Sequence, residues 1–289
     1  MNFSRRDFLG FSAMAGAAFA LPGCCSRCCC GGKGARSSVQ LYSVRGLMKD
    51  KTAFANTLKL MADIGYPAVE FAGYGGYSAA ELKDLLDRNG LVASGTHIGF
   101  NQVSPENIHK TMDFVRGFGC DQAVVPWMNA PKDCTDVKGF WKDFGEKMSV
   151  AADTAKKEGF HIGYHNHQHE FRTVVDGKQA WDWMMENASK DLEIQFDVGH
   201  IVSAGEDPAK WFAKYPGRSR TIHAKEVYYK GAPGILGQPG NQKGVDWDAV
   251  FAATDRDITK WYVVECESDP TTDRIVRASY EFLKAKGRA

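Results

Sequence analysis

The sequence predicts an α/β fold of the (β/α)8 TIM-barrel type, and three observations carry that prediction. Short apolar runs alternate strictly with longer amphipathic ones eight times from Ser38 onward, the pattern of parallel strands joined by helical crossovers. The body that follows an N-terminal leader is about 250 residues, the usual length of a single barrel. No Gly-x-Gly-x-x-Gly follows the first strand, so an open dinucleotide-binding sheet loses its main support.

Each element has its own signal. The first strand is expected over 38–43 and its helix over Thr52–Ile64, closed by Gly65. The second unit is a strand over 68–71 and a helix over Ser78–Asn89, where Ser78 and Glu81 have the spacing of a capping box and Gly90 follows as a stop. The third pairs 91–97 with Pro105–Gly117, before Gly119; the fourth pairs 122–126 with Val137–Glu158, before Gly159. The fifth pairs 160–166 with Lys178–Glu186, and the sixth 192–197 with Pro208–Lys214. The seventh pairs 219–224 with Asp246–Ala253, and the eighth 260–265 with Thr272–Lys286.

The first 23 residues read as a leader. Arg5-Arg6 precede an apolar run that ends at Leu21 and is too short to span a bilayer, the pattern of a twin-arginine export signal. Leu21-Pro22-Gly23-Cys24 resembles a bacterial lipobox, which makes Cys24 the expected lipid anchor and the protein an exported one, periplasmic or at the cell surface. Residues 24–37 hold five of the eight cysteines and a glycine-rich stretch. Their spacing lacks the two-pair pattern of a metal site and suits a flexible tether, leaving 38–289 for the barrel. Cys120, Cys134 and Cys266 are scattered, so the body shows no disulfide framework.

With 36 basic and 35 acidic residues the formal charge is +1, which gives no long-range attraction to polyanions. Nucleic acid is therefore not an expected partner. A metal-dependent endonuclease on the same barrel fits poorly for that reason. Membrane contact is expected through the lipid alone, and a homo-oligomer is compatible with the composition.

Strand parity carries the reading toward chemistry. In a strand, residues two apart share a face. His161, Gly163 and His165 then face inward, opposite Phe160, Ile162 and Tyr164, and Glu193, Gln195 and Asp197 do so in the sixth strand. The same alternation sets His97, His223 and Glu265 at the ends of the third, seventh and eighth strands. These C-terminal ends converge on one mouth in a barrel. His165, Asp197, His223 and Glu265 together offer two imidazoles and two carboxylates, a mixed donor set that suits one divalent ion, manganese, zinc, cobalt or iron before magnesium. Each alone reads equally well as a buried polar group with an internal partner. Glu70, His97 and Trp127 fall at mouth positions where they could bind sugar hydroxyls or stack on a sugar face, with internal packing as the alternative.

The motifs Gln40-Leu-Tyr-Ser-Val-Arg45, Tyr164-His-Asn-His167 with Glu170-Phe171, Asp197-Val-Gly-His200, His223-Ala-Lys225, Val264-Glu265 and Gly244-Val-Asp-Trp247 resemble those of the xylose isomerase-like barrels. These are sugar phosphate isomerases and epimerases, a group that also includes inosose dehydratases. The resemblance runs from Val39 to Leu283 and implies metal ligation by Asp197, His223 and Glu265, with Lys225 and His200 on substrate oxygens. One departure stands out: many members carry a glutamate where this chain has His165. Glu170, five residues on, is the expected replacement carboxylate, so Glu265 is assigned as one base and Glu170 or His167 as the opposing acid/base.

The resemblance implies a divalent-metal-dependent epimerase or isomerase acting on a ketose or keto-sugar through an enediolate. A keto-glycoside lyase or dehydratase on the same site is the alternative, and a carbohydrate-binding lipoprotein without catalysis the second. No phosphate-binding loop is evident, although Gly231 to Gly244 is long and glycine-rich.

Overall fold

The alternation becomes eight parallel strands in the computed structural model, which describes residues 35–227, 234–240 and 243–289. The expected signal, the tether's cysteines and the Cys24 anchor lie outside these residues, as do 228–233 and 241–242 of the glycine-rich loop. In chain order the strands are β1 (Arg36–Gln40), β2 (Ala68–Phe71), β3 (Val92–Thr96), β4 (Gln122–Val125) and β5 (His161–His165), then β6 (Val174–Val175) and β7 (Lys178–Gln179), then β8 (Glu193–Gln195), β9 (Thr221–Ala224) and β10 (Trp261–Val264). β6 and β7 form a separate antiparallel hairpin, and the other eight make the barrel wall.

The wall consists of two parallel runs, β3-β2-β1-β10-β9 and β4-β5-β8. They are stitched at both seams. Ile98 N donates to Val124 O at 2.9 Å beside a bridge between His97 and Val124, and His223 N donates to Phe196 O at 2.8 Å beside a bridge between Asp197 and His223. β1 begins at Arg36, inside the span expected for the tether, with the Arg36 guanidinium 4.9 Å from the centre of the Trp261 ring.

Helices α1 (Lys51–Ile64), α2 (Ala79–Asn89), α3 (Ile108–Gly117), α4 (Val137–Lys157), α5 (His169–Arg172), α6 (Ala180–Met185), α7 (Val198–Ser203), α8 (Pro208–Lys214), α9 (Trp247–Thr254) and α10 (Arg274–Ala285) are linked by the strands. The Ser78 and Glu81 capping box forms, and Gly65, Gly90, Gly119 and Gly159 all take positive φ after their helices. Gly90, at φ 66°, is in the left-handed region that a side chain would strain.

Outward strand residues such as Val39, Val69, Ala123, Ile162, Tyr164, Ile194, Phe196, Ile222 and Tyr262 are buried against this helical layer. Each large apolar one contributes about 1.5–3 kcal/mol by burial. The interior is polar instead. Ser38 and Ser94 share a hydrogen bond of 2.7 Å, Gln122 Nε2 donates to Thr221 Oγ1 at 3.1 Å, and His161 Nδ1 lies 3.0 Å from Glu193 Oε1. Burying these pairs is tolerated because each side chain finds a partner, although Glu193 Oε2, Ser37 Oγ and Ser219 Oγ have none among the described residues.

Four elements differ from expectation for local reasons. β1 ends at Gln40, whose side-chain oxygen accepts from Tyr42 N at 3.1 Å and turns the chain into a 3-10 helix over Leu41–Leu47. The helix expected from Lys178 starts at Ala180, because Asp176 and Gly177, at φ 50° and 76°, form the tight turn of the β6–β7 hairpin. The short helices α5 and α7 carry too few residues to show a period. α7 owes its start to Asp197, whose carboxylate accepts from His200 N at 2.8 Å.

α4 approaches α6 so closely that a Cβ at Gly145 would collide with the Met184 carbonyl. Gly145→Ala is expected to destabilise the fold by about 1–3 kcal/mol. A fall in thermal midpoint of several degrees would show it, and an unchanged midpoint would mean the helices separate without cost.

Candidate active site

The inward ends of β5, β8, β9 and β10 deliver His165, Asp197, His223 and Glu265 to one point, with their ligand atoms all within 4.8 Å of one another. All four are buried. His165 is the last residue of β5, and the imidazoles of His165 and His223 lie 4.4 Å apart, centre to centre. Asn166 bridges the β5 and β8 ends: its side chain accepts from Asp197 N at 3.0 Å and donates to Asp197 O at 3.3 Å.

His223 sits between two anions. Its Nε2 is 2.5 Å from Glu70 Oε2 and its Nδ1 is 3.1 Å from Glu265 Oε2. Burial opposes a charge on the ring, but Glu265 and Glu70 outweigh it and push its pKa up to about 10. Glu265 would be raised by burial, yet Lys225 and His223 hold it well below the usual carboxylate range. Lys225 Nζ donates to Glu265 Oε2 at 3.2 Å, to Glu267 Oε1 at 2.8 Å and to His200 Nε2 at 3.0 Å. Despite burial, these carboxylates and Asp197 keep it an ammonium.

Asp197 is different. Its Oδ2 is buried without a hydrogen bond among the described residues, and the nearest cationic nitrogen, Lys225 Nζ, is 3.8 Å away. Burial pushes its pKa up to about 7, against the pull of Lys225. An unpartnered carboxylate oxygen aimed at two imidazoles and a second carboxylate fits a divalent cation. Glu70 would hold Nε2–H of His223 and free Nδ1 for that ion, as a carboxylate behind a metal-binding histidine does. Three buried carboxylates, Glu70, Asp197 and Glu265, would then face one ammonium and one divalent ion, and Glu267 at the rim adds a fourth carboxylate beside Lys225.

Two sequence assignments are corrected by the geometry. Glu170 does not reach the mouth: it is fully buried behind β5, accepting from the outward Tyr164 hydroxyl at 2.7 Å and from His167 N at 2.9 Å. Burial pushes it up to about 8, but it faces the helical layer. Glu70 does not offer oxygens to a substrate either. It is fully buried, and Gln40 Nε2 at 2.7 Å, Gln195 Nε2 at 2.7 Å and His223 Nε2 at 2.5 Å occupy them, with His97 Nε2 3.2 Å away.

Gln195 is the residue sequence reasoning passed over. Its side chain meets His97 Nε2 at 2.7 Å, His165 Nδ1 at 3.2 Å, Glu70 at 2.7 Å and Thr221 Oγ1 at 2.9 Å, so it sets the tilt of two site imidazoles. Inward parity was its only signal. Glu267, two residues beyond Glu265 and at the rim, was also missed.

The remaining expected residues line the mouth. Its polar lobe, about 470 Å³, is bordered by Arg172, His200, Ser203, Lys225 and Glu265; a second lobe, about 500 Å³, by His97, Trp127, His165 and His167. His167 is lowered to about 3 by burial and the nearby Lys225, and is a neutral imidazole. Trp127 packs edge-on to it with ring centres 4.6 Å apart.

Glu70→Gln keeps the bulk and removes one anion from His223. The imidazole pKa, about 10 in the wild type, is expected to fall by about one unit or more. An NMR titration of the metal-free protein measures this, and an unchanged value would mean that Glu265 alone holds the charge.

Residues 2–22 match the twin-arginine translocation signal, which indicates export. An inosose dehydratase of Geobacillus kaustophilus is 25% identical over 249 residues, spanning 74% of this chain and 80% of that protein. One from Bacillus cereus is 25% identical over 254 residues, 76% and 84% of the two chains. The crystal structure of a sugar phosphate isomerase/epimerase from Parabacteroides distasonis shares the fold, with a TM-score of 0.70 at 23% identity over 89% of this chain and 98% of the other. Residues 58–286, most of the barrel, match one family over their whole length. The chain, with its closed parallel barrel and its polar mouth, belongs to the xylose isomerase-like TIM barrel family.

Proposed function

We propose that the protein is an exported, metal-dependent enzyme that removes the proton beside the carbonyl of a keto-sugar and then expels an oxygen substituent from the next carbon, as a lyase or dehydratase does. His165, Asp197, His223 and Glu265 would hold the ion. Bound there, a divalent cation supplies Lewis acidity toward the substrate carbonyl and offsets the charge of an enediolate.

The chain's own residues supply the rest. Glu265 stays ionised, Lys225 and His223 engage only its Oε2, and nothing among the described residues donates to Oε1, so that oxygen is available as the base. Lys225 is a fixed ammonium beside it, placed to balance negative charge on the substrate. His200 accepts from Lys225 and keeps the ammonium in place. The observation that carries the choice of outcome is the asymmetry of the site. One side has the ionised Glu265, whereas the β5 side has His165 and His167, both held neutral by burial first and then by neighbouring cations. Epimerisation returns a proton from the opposite face, and with Glu170 buried away from the mouth that face offers only imidazoles, of which His167, lowered to about 3, carries no proton to return near neutral pH. The inosose dehydratase relatives agree with elimination.

Epimerisation is the second reading, and one observation favours it: His167 lies in the mouth and its buried Nδ1 has no partner among the described residues. A lipid on Cys24 belongs to the same proposal. No helix among the described residues is long and apolar enough to cross a membrane.

The purified protein is expected to hold about one divalent ion per chain, and Asp197→Ala and His223→Ala to lose it. Equal metal content in all three ends the proposal. The ion must displace the His223 proton and, below about pH 7, the Asp197 proton. Affinity therefore weakens as pH falls, and titrations at pH 8 and pH 6 should show tighter binding at the former.

Incubation with keto-sugars in deuterated water separates the outcomes by NMR. Elimination gives an unsaturated ketone and a released alcohol or water; epimerisation gives an inverted carbon carrying deuterium. Glu265→Gln is expected to abolish both, and Lys225→Gln to cost about 10²–10³ in kcat. Silence of the wild type over a broad keto-sugar panel would favour a pure binder.

A further inference from the structure

A cleft apart from the mouth lies between α3 and the loops that follow β2 and β3. It encloses about 340 Å³ and is lined by Tyr74, Asn101, Gln102, Asn107, Lys110 and Phe114 among others, a volume in the range of small-ligand sites. None of its lining residues borders either lobe of the mouth, and none belongs to the ion-binding cluster. The partition is the 3-10 turn Phe100–Val103: Phe100 lines the mouth, whereas Asn101 and Gln102 line the cleft.

The fold holds the walls of this cleft in place. The half-buried rings of Tyr74 and Phe114 lie 4.7 Å apart, centre to centre; the Tyr74 hydroxyl is 3.1 Å from Thr96 Oγ1, and Phe114 packs edge-on to Phe118 at 5.9 Å. Thr111 Oγ1 donates to Gln102 O at 2.8 Å and Asn107 Nδ2 to Asn101 O at 3.0 Å, so the turn is tied to the start of α3. These bonds use backbone oxygens and leave side-chain groups over. Gln102 Oε1 accepts from Gly99 N at 2.9 Å, but no described residue bonds its Nε2, the Asn101 amide or Lys110 Nζ. Lys110 is the one charged residue among the described lining residues. It makes no ion pair with Glu106, one turn before it, which bonds Ser104 instead.

Unpartnered amides beside fixed rings match a sugar: hydroxyl groups pair with the amides, and the C–H face of the ring lies on an aromatic side chain. The ammonium adds a preference for a carboxylate. We propose that this cleft binds one acidic sugar unit, a uronate, whose carboxylate meets Lys110, whose hydroxyls meet Asn101 and Gln102, and whose ring lies against Tyr74 or Phe114. No bond is made or broken there. The site is independent of the elimination reading. It would hold the exported protein to an acidic carbohydrate whether the mouth eliminates, epimerises or only binds.

NMR titration of the purified, nitrogen-labelled protein with galacturonate, galactose and acetate reads both the place and the affinity of binding. Galacturonate is expected to shift the side-chain amides of Asn101 and Gln102 and to bind about fivefold more tightly than galactose or acetate. Lys110→Gln changes an exposed side chain without a protein partner, so it should fold normally and reduce the preference over galactose to about twofold or less. Asp197→Ala, in the mouth and checked for wild-type circular dichroism, should leave that preference intact. A tighter fit to trigalacturonate than to galacturonate assigns the unit to a polymer, and an equal or weaker one to a free sugar acid. Shifts confined to mouth residues, galactose or acetate bound as tightly as galacturonate, or a preference that survives Lys110→Gln would each overturn the site.

Discussion

The carboxylate of Glu70, buried on the barrel axis, is the constraint on which the site depends. It accepts from Gln40 of β1, Gln195 of β8 and His223 of β9, so a single side chain on β2 ties together strands from across the barrel. A buried charge is costly unless it is fully paired, and breaking such a set strands its members without water. The same contacts that make Glu70 tolerable fix the ring of His223, and Gln195 extends the brace to His97 and His165. Most barrels of this type fill their interior with branched apolar side chains. Here polar groups replace much of that filling, and orientation of the imidazoles is what the substitution provides.

Above this brace the electrostatics are graded. Lys225 and His223 keep Glu265 anionic, whereas burial pushes Asp197 up to about 7. On the β5 side, burial keeps the imidazoles uncharged. Charge is therefore concentrated along the β9–β10 side of the mouth, and the β5 side is nearly neutral and aromatic. A substrate entering this field meets different chemistry on its two faces.

Much of this was legible in the sequence because strands have a strict period. Counting in twos from apolar neighbours turns His165, Asp197, His223 and Glu265 inward, and the barrel makes those positions converge. Counting failed once the strand ended. Glu170 lies five residues past His165, where the chain has already turned, and its partner is the hydroxyl of Tyr164, a residue that parity correctly sent outward. Glu70 was placed on the right face, but its depth was not: whether an inward carboxylate meets solvent or three buried donors depends on strands distant in sequence. Gln195 was hidden for the same reason. The hairpin at Asp176-Gly177 and the short helices α5 and α7 were lost because each is shorter than the window over which a period can be recognised.

One further side chain joins the loop after β9 to the site. Glu226, next to Lys225, turns to the other side of the chain and accepts from Val227 N and Val245 N through one oxygen, and from Gly237 N and Trp247 Nε1 through the other. The described parts of the loop that follows β9 are thus held by Glu226 at Gly237, Val245 and Trp247, and by Ser279 at Leu236. Glu226 is one peptide from Lys225, so the contacts that hold this loop also hold the backbone that carries the ammonium into the polar lobe. A change at Gly237, Val245 or Trp247 is therefore felt, through one peptide bond, at the charge beside Glu265.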